Sequence, residues 1–131
     1  MLEKNLNFDF VVLLQPTSPL RNEKHIYDAI NLLEKKKADA IISVCKTTHN
    51  PLWSNILPKN LSMQDFLKTR EQDVKNYHRL NGAIYICKIS NFLKEKSLFL
   101  KKNVYAFVMP QEESIDIDTE LDFEITKALM K

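Results

Sequence analysis

Glycine is almost absent from this sequence, because Gly82 is the only one among 131 residues. A chain of this length carries about nine glycines on average. Loops that bind nucleotide phosphates through backbone N–H groups use glycine to let the ligand approach closely. The chain contains neither a Walker loop nor a G-x-G-x-x-G fingerprint, and these two kinds of nucleotide site are excluded.

The chain also has only two cysteines, no long apolar run and no large excess of one charge. Cys45 and Cys87 each lie within an apolar run, which is typical of reduced core thiols in a cytoplasmic protein. Apolar runs such as Phe10–Leu14 are too short to span a membrane. The net charge of +2 does not indicate a nucleic-acid binder. We expect a cytoplasmic domain that binds small molecules, with no nucleic acid or membrane partner.

The first third of the chain has the pattern of a strand, a helix and a second strand. Phe8–Leu14 predicts a strand buried on both faces, and Asn22 is a candidate N-cap for the helix that follows. Ala40–Cys45 predicts a second buried strand. Such a unit of about 38 residues indicates a parallel sheet with a right-handed crossover.

The second half predicts further strands and helices of one α/β domain that covers residues 1–131. Ala83–Cys87 and Val104–Met109 are expected strands, with a short helix near Ile89–Lys96 between them. Thr119–Asp122 opens the last helix with a capping-box pattern in which Asp replaces the usual Glu or Gln.

Residues from about 47 to 80 are less regular and include the only tryptophan, Trp53. Two interpretations stay open for this segment. It is either a dimerisation arm that packs on a partner chain or an excursion whose tryptophan joins the core.

The segment Ser114–Glu120 places two carboxylates close together. Read as an extended strand, it puts Asp116 and Asp118 on one face with their Cα atoms about 6–7 Å apart. Mg²⁺ takes one or two carboxylates and fills its other positions with water and substrate phosphate. Acidic residues also favour a helix N-terminus without any metal, and spacing alone does not separate these interpretations.

Two further segments contain candidate binding residues. Gln15–Arg21 follows a predicted strand, at the sheet edge where ligands of open α/β sheets bind. Gln15 suits an amide or hydroxyl, and Arg21 a carboxylate or phosphate, although the segment also fits a proline-stiffened connector with a solvated arginine. Gly82 permits either a turn or the close approach of a ligand. No nucleophile motif indicates a covalent mechanism.

Three blocks, Leu13–Arg21, Asn81–Ile86 and Ser114–Glu120, together resemble the acylneuraminate cytidylyltransferases. These enzymes make CMP-sialic acid and the CMP forms of bacterial relatives such as legionaminic and pseudaminic acid. The similarity runs from about Phe8 to the last residue. It implies a three-layer, Rossmann-like α/β fold of the nucleotide-diphospho-sugar transferase type, with a mostly parallel sheet.

The resemblance also implies a reaction for surface glycan synthesis, such as that of lipopolysaccharide or capsule. CTP and a nine-carbon keto acid sugar would give a CMP-sugar and pyrophosphate, with Mg²⁺ neutralising the phosphates. It implies that Asp116 and Asp118 form the catalytic, metal-binding pair and that the full-length enzyme is a homodimer. The expected substrate-binding residues, including Arg21 from the loop above, are Gln15, Arg21, Arg70, Gln72, Arg79, Asn81, Tyr85 and Phe99.

The sequence departs from the family pattern at several positions. Glu71 separates Arg70 from Gln72, Leu80 stands where a proline often precedes the Asn-Gly pair, and Phe99-Leu100 replaces an aromatic pair. The strand and loop that bind the CTP triphosphate in the family have no counterpart here. We therefore expect the C-terminal portion of such an enzyme, inactive alone, with an apolar edge exposed at Phe8–Leu14. The alternative is a non-catalytic module that retains sugar binding or oligomerisation.

Overall fold

The computed structural model of the chain describes residues 7–66 and 75–131. Within these ranges, strands and helices alternate along most of the chain, with single 3₁₀ turns at Pro51–Trp53 and Gln111–Glu113. The elements are β1 (Phe10–Leu13), α1 (Glu23–Lys36), β2 (Ala40–Lys46), β3 (His78–Lys88), α2 (Ile89–Glu95), β4 (Val104–Val108) and α3 (Glu120–Leu129).

The strands form a mixed sheet in the order β1-β3-β2-β4. Strand β3 is antiparallel to both β1 and β2, and β2 and β4 are parallel. The predicted α/β class is confirmed and agrees with a Rossmann-like fold, but the prediction of a mostly parallel sheet is wrong for the described residues. The reason is that β3 lies between β1 and β2, so the two strands joined through α1 share a direction without pairing.

Strand β1 is at the edge of the described sheet. The prediction that this strand is buried on both faces is wrong. It pairs with β3 alone in the part of the chain that the structure describes. Val12 and Leu13 are 39% and 41% exposed, and Leu14 beyond the strand is exposed as well. The expected apolar edge is therefore present on the protein surface.

Helices cover both faces of the sheet, which gives the three layers that the sequence predicted. On one face, Ala29 and Leu33 of α1 pack with Ile41 of β2 and Ile84 and Ile86 of β3. Successive strand residues alternate between faces, so the neighbours of Ile41 and Ile86 point to the opposite face. There, Ala40 and Cys87 pack with Leu100 after α2, and Phe92, Leu98 and Val104 lie against them.

Both cysteines are buried, free and on different strands. Cys45 lies in β2 and Cys87 in β3, and neither forms a disulfide. Burial raises the pKa of the Cys87 thiol, which keeps it protonated at neutral pH. This agrees with the predicted role of both residues as core thiols. Among the described residues, no helix combines the length and apolar character needed to cross a membrane.

The described part of the segment from 47 to 66 contains one short 3₁₀ turn and extends apolar side chains into solvent. Trp53 is 50% exposed and Ile56 is 87% exposed. Trp53 is thus not a member of the core that the structure describes. The interpretation of this segment as a dimerisation arm stays a prediction.

Candidate functional site

The loop after β1 consists of two consecutive turns. Pro16 and Pro19 lack the N–H group that would continue a strand ladder. The Ser18 N–H donates to the Gln15 carbonyl at 3.3 Å, and the Arg21 N–H donates to the Ser18 carbonyl at 3.3 Å. The Ile117 N–H donates to the Thr17 carbonyl at 2.9 Å. This last bond joins the loop to the acidic segment.

Arg21 connects the same loop to β3. Its Nη1 donates to the Gln15 carbonyl at 2.9 Å and to the Ala83 carbonyl at 2.8 Å. Partial burial lowers the pKa of the Arg21 guanidinium, which nevertheless stays charged at neutral pH. The interpretation of Arg21 as a fully solvated residue is therefore wrong. Its predicted contact with a substrate stays a prediction.

Gly82 lies where the other segments meet. Its φ is +72°, in the left-handed region. A Cβ atom at this position would lie 2.5 Å from Gln15 Oε1 and 3.5 Å from Asp116 Oδ2. The glycine therefore allows both a turn and a close approach. The approaching groups belong to the two other blocks that the sequence had singled out.

A large bulge in β3 creates this turn. Ile42 pairs with Tyr85 and Val44 pairs with Leu80, so two steps along β2 correspond to five along β3. The additional residues of β3 lie opposite Ser43. Bulges of this kind redirect side chains and are common beside active sites.

Asp116 carries the main electrostatic feature of the site. Its Oδ1 is buried and has no hydrogen-bond partner among the described residues. Leaving a carboxylate oxygen buried and unpaired is costly, and a bound cation would remove that cost. The unpaired carboxylate oxygen of Asp116 therefore fits a divalent metal ion. Carboxylate oxygen is also the ligand that Mg²⁺ prefers.

Asp118 is placed differently from Asp116. It is exposed, and its backbone N–H donates to Asp122 Oδ2 at 3.1 Å. Residues 114–118 form no strand, so the predicted strand alternation of the two carboxylates is wrong. No group of three or more His, Cys, Asp or Glu side chains among the described residues is arranged to hold a metal. A metal at Asp116 would need ligands from water and substrate.

Three of the predicted sugar-binding residues lie in two places: Tyr85 and Phe99 are in contact with each other, and Arg79 is beside the segment Ser114–Glu120. Tyr85 is buried, and its ring lies edge-on to that of Phe99 with the centroids 5.6 Å apart, while Phe99 is 54% exposed. Arg79 is exposed, and its Nη2 donates to the Ser114 carbonyl at 3.4 Å, which places it beside the acidic segment. Arg70 and Gln72 lie outside the described residues, and their predicted roles stay predictions.

Asn81 is fully enclosed and makes its hydrogen bonds inside the protein. It is 1% exposed. Its Oδ1 accepts from Ser43 Oγ at 2.5 Å and from the Ala83 N–H at 3.2 Å. Its Nδ2 donates to Ser114 Oγ at 3.0 Å and contacts Met109 Sδ at 3.4 Å.

Sequence analysis did not single out several of these partners. Ser43 is the one polar residue within the buried run Ala40–Cys45, and that contrast was the available signal. His25 is a second residue that the sequence analysis did not single out. Its Nδ1 accepts from the Asn22 N–H at 3.1 Å, so its Nε2 carries the proton donated to Glu113 Oε2 at 2.8 Å. This contact joins the start of α1 to Glu113, directly before the segment Ser114–Glu120.

Comparison with curated proteins identifies relatives of this chain, although no protein-family model matches it. It is 33% identical over 132 residues to a CMP-N,N'-diacetyllegionaminic acid synthase of Legionella pneumophila, a match that covers 95% of this chain. It is 35% identical over 117 residues to an N-acylneuraminate cytidylyltransferase of Streptococcus agalactiae, which covers 86% of this chain. The resemblance to the acylneuraminate cytidylyltransferases is confirmed.

A third relative gives the same result. The N-acylneuraminate cytidylyltransferase of Escherichia coli O18:K1:H7 is 31% identical over 124 residues. The chain spans 55% of the Legionella protein's length, and 28% and 29% of the streptococcal and Escherichia proteins. The similarity to these cytidylyltransferases thus covers most of this chain and about half or less of its relatives.

Proposed function

We propose that this chain provides the sugar-binding and metal-binding part of an enzyme that transfers CMP from CTP to a sialic-type nonulosonic acid. The observation that carries this proposal is the buried, unpartnered Asp116 Oδ1, in a carboxylate whose Oδ2 lies beside Gly82 and Gln15. The names of three relatives support the reaction class. Their products also suggest a role in the synthesis of surface glycans.

Asp116 would hold Mg²⁺, with Asp118 close by on the same segment. When bound, this ion would neutralise phosphate charge. Gln15 lies beside Asp116 across Gly82, so its amide would orient a hydroxyl or amide of the substrate close to the metal. The exposed guanidinium of Arg79 lies next to the same segment and suits the sugar carboxylate.

Tyr85 and Phe99 would form an apolar surface for the acyl groups of the sugar. The edge-on contact of the two rings fixes the orientation of Phe99, whose ring is otherwise half exposed. Aromatic rings with one free face commonly pack on the apolar side of a sugar or acyl group. The identity of the acyl group would then depend on the residues around Phe99.

We also propose that residues from about 47 to 80 form an arm that pairs two chains in the cytoplasm. Support comes from the apolar side chains of the described part of this segment, because Ile56, Leu57 and Leu61 are 87%, 55% and 69% exposed. Burying such residues in a dimer would remove that surface from water. Arg70 and Gln72 would belong to this arm and contact the sugar site of the partner. The buried free thiols fit a reducing compartment.

Calorimetric titration with a CMP-nonulosonate tests the proposed site. We expect the chain to bind this product with Mg²⁺ present and about tenfold or more weakly in EDTA, because Asp116 would hold an ion whose charge favours the phosphate. The Asp116→Ala variant should bind equally weakly in both buffers. Glu112→Ala is the matched control, since Glu112 is an exposed acid close by on the same segment. Equal affinity of wild type and Asp116→Ala in Mg²⁺ contradicts the proposal.

A further inference from the structure

The side chain of Asn81 has no hydrogen-bonding capacity left for a ligand. An amide side chain offers two acceptor lone pairs and two donor hydrogens. Here the oxygen receives Ser43 Oγ and the Ala83 N–H, and the nitrogen donates to Ser114 Oγ with Met109 Sδ as its second contact. A sugar hydroxyl would have to displace one of these buried partners.

The bonds of Asn81 extend to both sides of the candidate site. The bond from the Ala83 N–H to Asn81 Oδ1 closes a ring around Gly82 and favours its left-handed turn. The bond to Ser114 reaches the segment that carries Asp116 two residues later. The buried Asn81 side chain thus links the turn at Gly82 to the segment that carries Asp116.

Two serines complete a continuous chain of hydrogen bonds through the protein. Ser43 Oγ accepts from the Ile84 N–H at 2.8 Å and donates to Asn81. Ser114 Oγ accepts from Asn81 and donates to the Pro110 carbonyl at 2.6 Å. Both hydroxyl groups therefore act as donor and acceptor at once. A buried network in which these groups are satisfied holds its members in one arrangement.

We propose that Asn81 is a positioning residue of the metal site and that Ser43 and Ser114 are its supports. It acts by holding the turn at Gly82 and the segment that carries Asp116 in fixed positions relative to each other. This inference rests on the proposed function, because it assigns the residue that orders the same site. The expectation that Asn81 lines the sugar stays a prediction.

Because the chain has a single glycine, the positioning role of Asn81 can be tested without measuring enzymatic activity. Labelling with [¹⁵N]glycine gives one amide resonance, that of Gly82, in a two-dimensional NMR spectrum. We expect Ser43→Ala and Ser114→Ala each to shift this resonance or broaden it in metal-free protein, because each removes a bond that holds Asn81 in place and neither residue adjoins Gly82 in the sequence. Ile41→Val is the control, a core substitution in β2 that lies outside the network and should leave the resonance in place.

A second measurement determines how the network affects metal affinity. Free Mn²⁺ is followed by its electron paramagnetic resonance signal while the chain is titrated, with Mn²⁺ as the probe for the Mg²⁺ site. We expect Asn81→Ala and Ser114→Ala each to weaken Mn²⁺ binding by about tenfold or more. The double variant should lose no more than Asn81→Ala alone, because both changes remove the same link. Ile41→Val should bind like wild type.

The two measurements separate the inference from the proposed function. If the Gly82 resonances of Ser43→Ala and Ser114→Ala match that of wild type, the positioning role of Asn81 is overturned whatever the metal does. Additive losses of Mn²⁺ affinity in the double variant also overturn it. If wild type binds no Mn²⁺ while the Gly82 resonance responds to Ser43→Ala and Ser114→Ala, the proposed metal site fails and the role of Asn81 in the turn is supported.

Discussion

The backbone at Gly82 is the residue-scale feature on which the site depends. Any side chain here would meet Gln15 Oε1 and adopt a conformation that L residues rarely accept. The scarcity of glycine in the sequence excludes glycine-rich phosphate loops, and it also makes this one position stand out. The remaining glycine occupies the point where three segments of the chain converge.

Replacing Gly82 with alanine tests that account. We expect Gly82→Ala to lower the free energy of unfolding by about 1–2 kcal/mol, the usual cost of the left-handed conformation for a non-glycine residue. Urea denaturation followed by circular dichroism measures the change. The clash with the end of Gln15 adds little, because that side chain is flexible and can move away. A Gly82→Ala/Gln15→Ala double variant should therefore be about as unstable as Gly82→Ala alone. If both variants are as stable as wild type, position 82 does not require glycine.

Within the site, local motifs in the sequence identified some residues and missed others. Gln15, Gly82 and Asp116 were each identified from local motifs, and the structure brings all three together. The partners of Asn81 were not identified. Ser43 and Ser114 lie 38 and 33 residues from it along the chain, and only the tertiary fold brings them near. A local motif identifies a residue type but not the distant partners that use up its hydrogen bonds.

At the scale of elements, two helices end without the residue that usually terminates them. Lys37 follows α1 with φ +50°, and Lys96 follows α2 with φ +54°. Glycine is the usual residue in this left-handed position because it has no Cβ penalty. Lysine takes this position at the end of both helices, and its left-handed backbone lowers the stability of each helix end.

Introducing glycine at these two positions is expected to stabilise the protein. Lys37→Gly and Lys96→Gly should each raise the free energy of unfolding by about 0.5–1 kcal/mol, measured by urea denaturation. Lys36→Gly serves as the control, because Lys36 is the last right-handed residue of α1 and glycine there should lower stability by up to about 1 kcal/mol. Destabilisation by all three substitutions would show that the left-handed ends carry no strain.

An ion pair joins the start of β2 to the end of β3. Lys88 Nζ donates to Asp39 Oδ1 at 2.9 Å, and the Lys88 N–H donates to the Asp39 carbonyl at 2.9 Å. The Lys88 ammonium, helped by Asn103, holds the pKa of the Asp39 carboxyl below its usual value. A lowered pKa stabilises the folded state above the unfolded pKa of about 3.9, and this contribution is lost as the pH falls.

We therefore expect Asp39→Asn to weaken the dependence of stability on acid pH. Wild type should lose stability more steeply than Asp39→Asn as the pH drops from about 5 to below 3. At neutral pH the difference should be about 0.5 kcal/mol, since both groups are partly exposed. Urea denaturation at several pH values measures both effects. Parallel pH curves for the two proteins would contradict the assignment to Asp39.

Local patterns predicted the elements better than their arrangement. The start of α1 at Asn22 and of α3 at Thr119 follows from capping residues, and both capping boxes are present. The burial of β2 also follows from its apolar run. The neighbours of β1 did not follow, because its pairing with β3 joins residues more than 70 positions apart. Sequence periodicity carries no information about which distant strand occupies the adjacent place.

At the scale of the whole molecule, the sheet edge and the last helix expose apolar side chains. Val12 and Leu13 of β1 are partly exposed, as described above, and Leu121, Ile125 and Leu129 of α3 are 68%, 42% and 50% exposed. A partly apolar strand with one open edge favours association between chains. The balanced surface charge opposes this only weakly.

Association should therefore depend on the edge strand. We expect sedimentation velocity to show concentration-dependent self-association of wild type, and Leu13→Lys to reduce it because a lysine on an edge strand blocks pairing. Leu93→Lys is the matched control, since Leu93 is an exposed leucine of α2 that is not part of the edge strand. Equal association of the two lysine variants would show that β1 is not the surface involved.

In the proposed function, Asp116 and the turn at Gly82 form a divalent-cation site of the cytidylyltransferase type. Paramagnetic broadening of the single [¹⁵N]glycine resonance by Mn²⁺ tests it most directly, because that resonance arises at the site itself. We predict that the resonance disappears as Mn²⁺ occupies the site, returns when excess Mg²⁺ displaces it, and persists in Asp116→Asn. A resonance that stays sharp in wild type at saturating Mn²⁺, or disappears equally in Asp116→Asn, would contradict the claim.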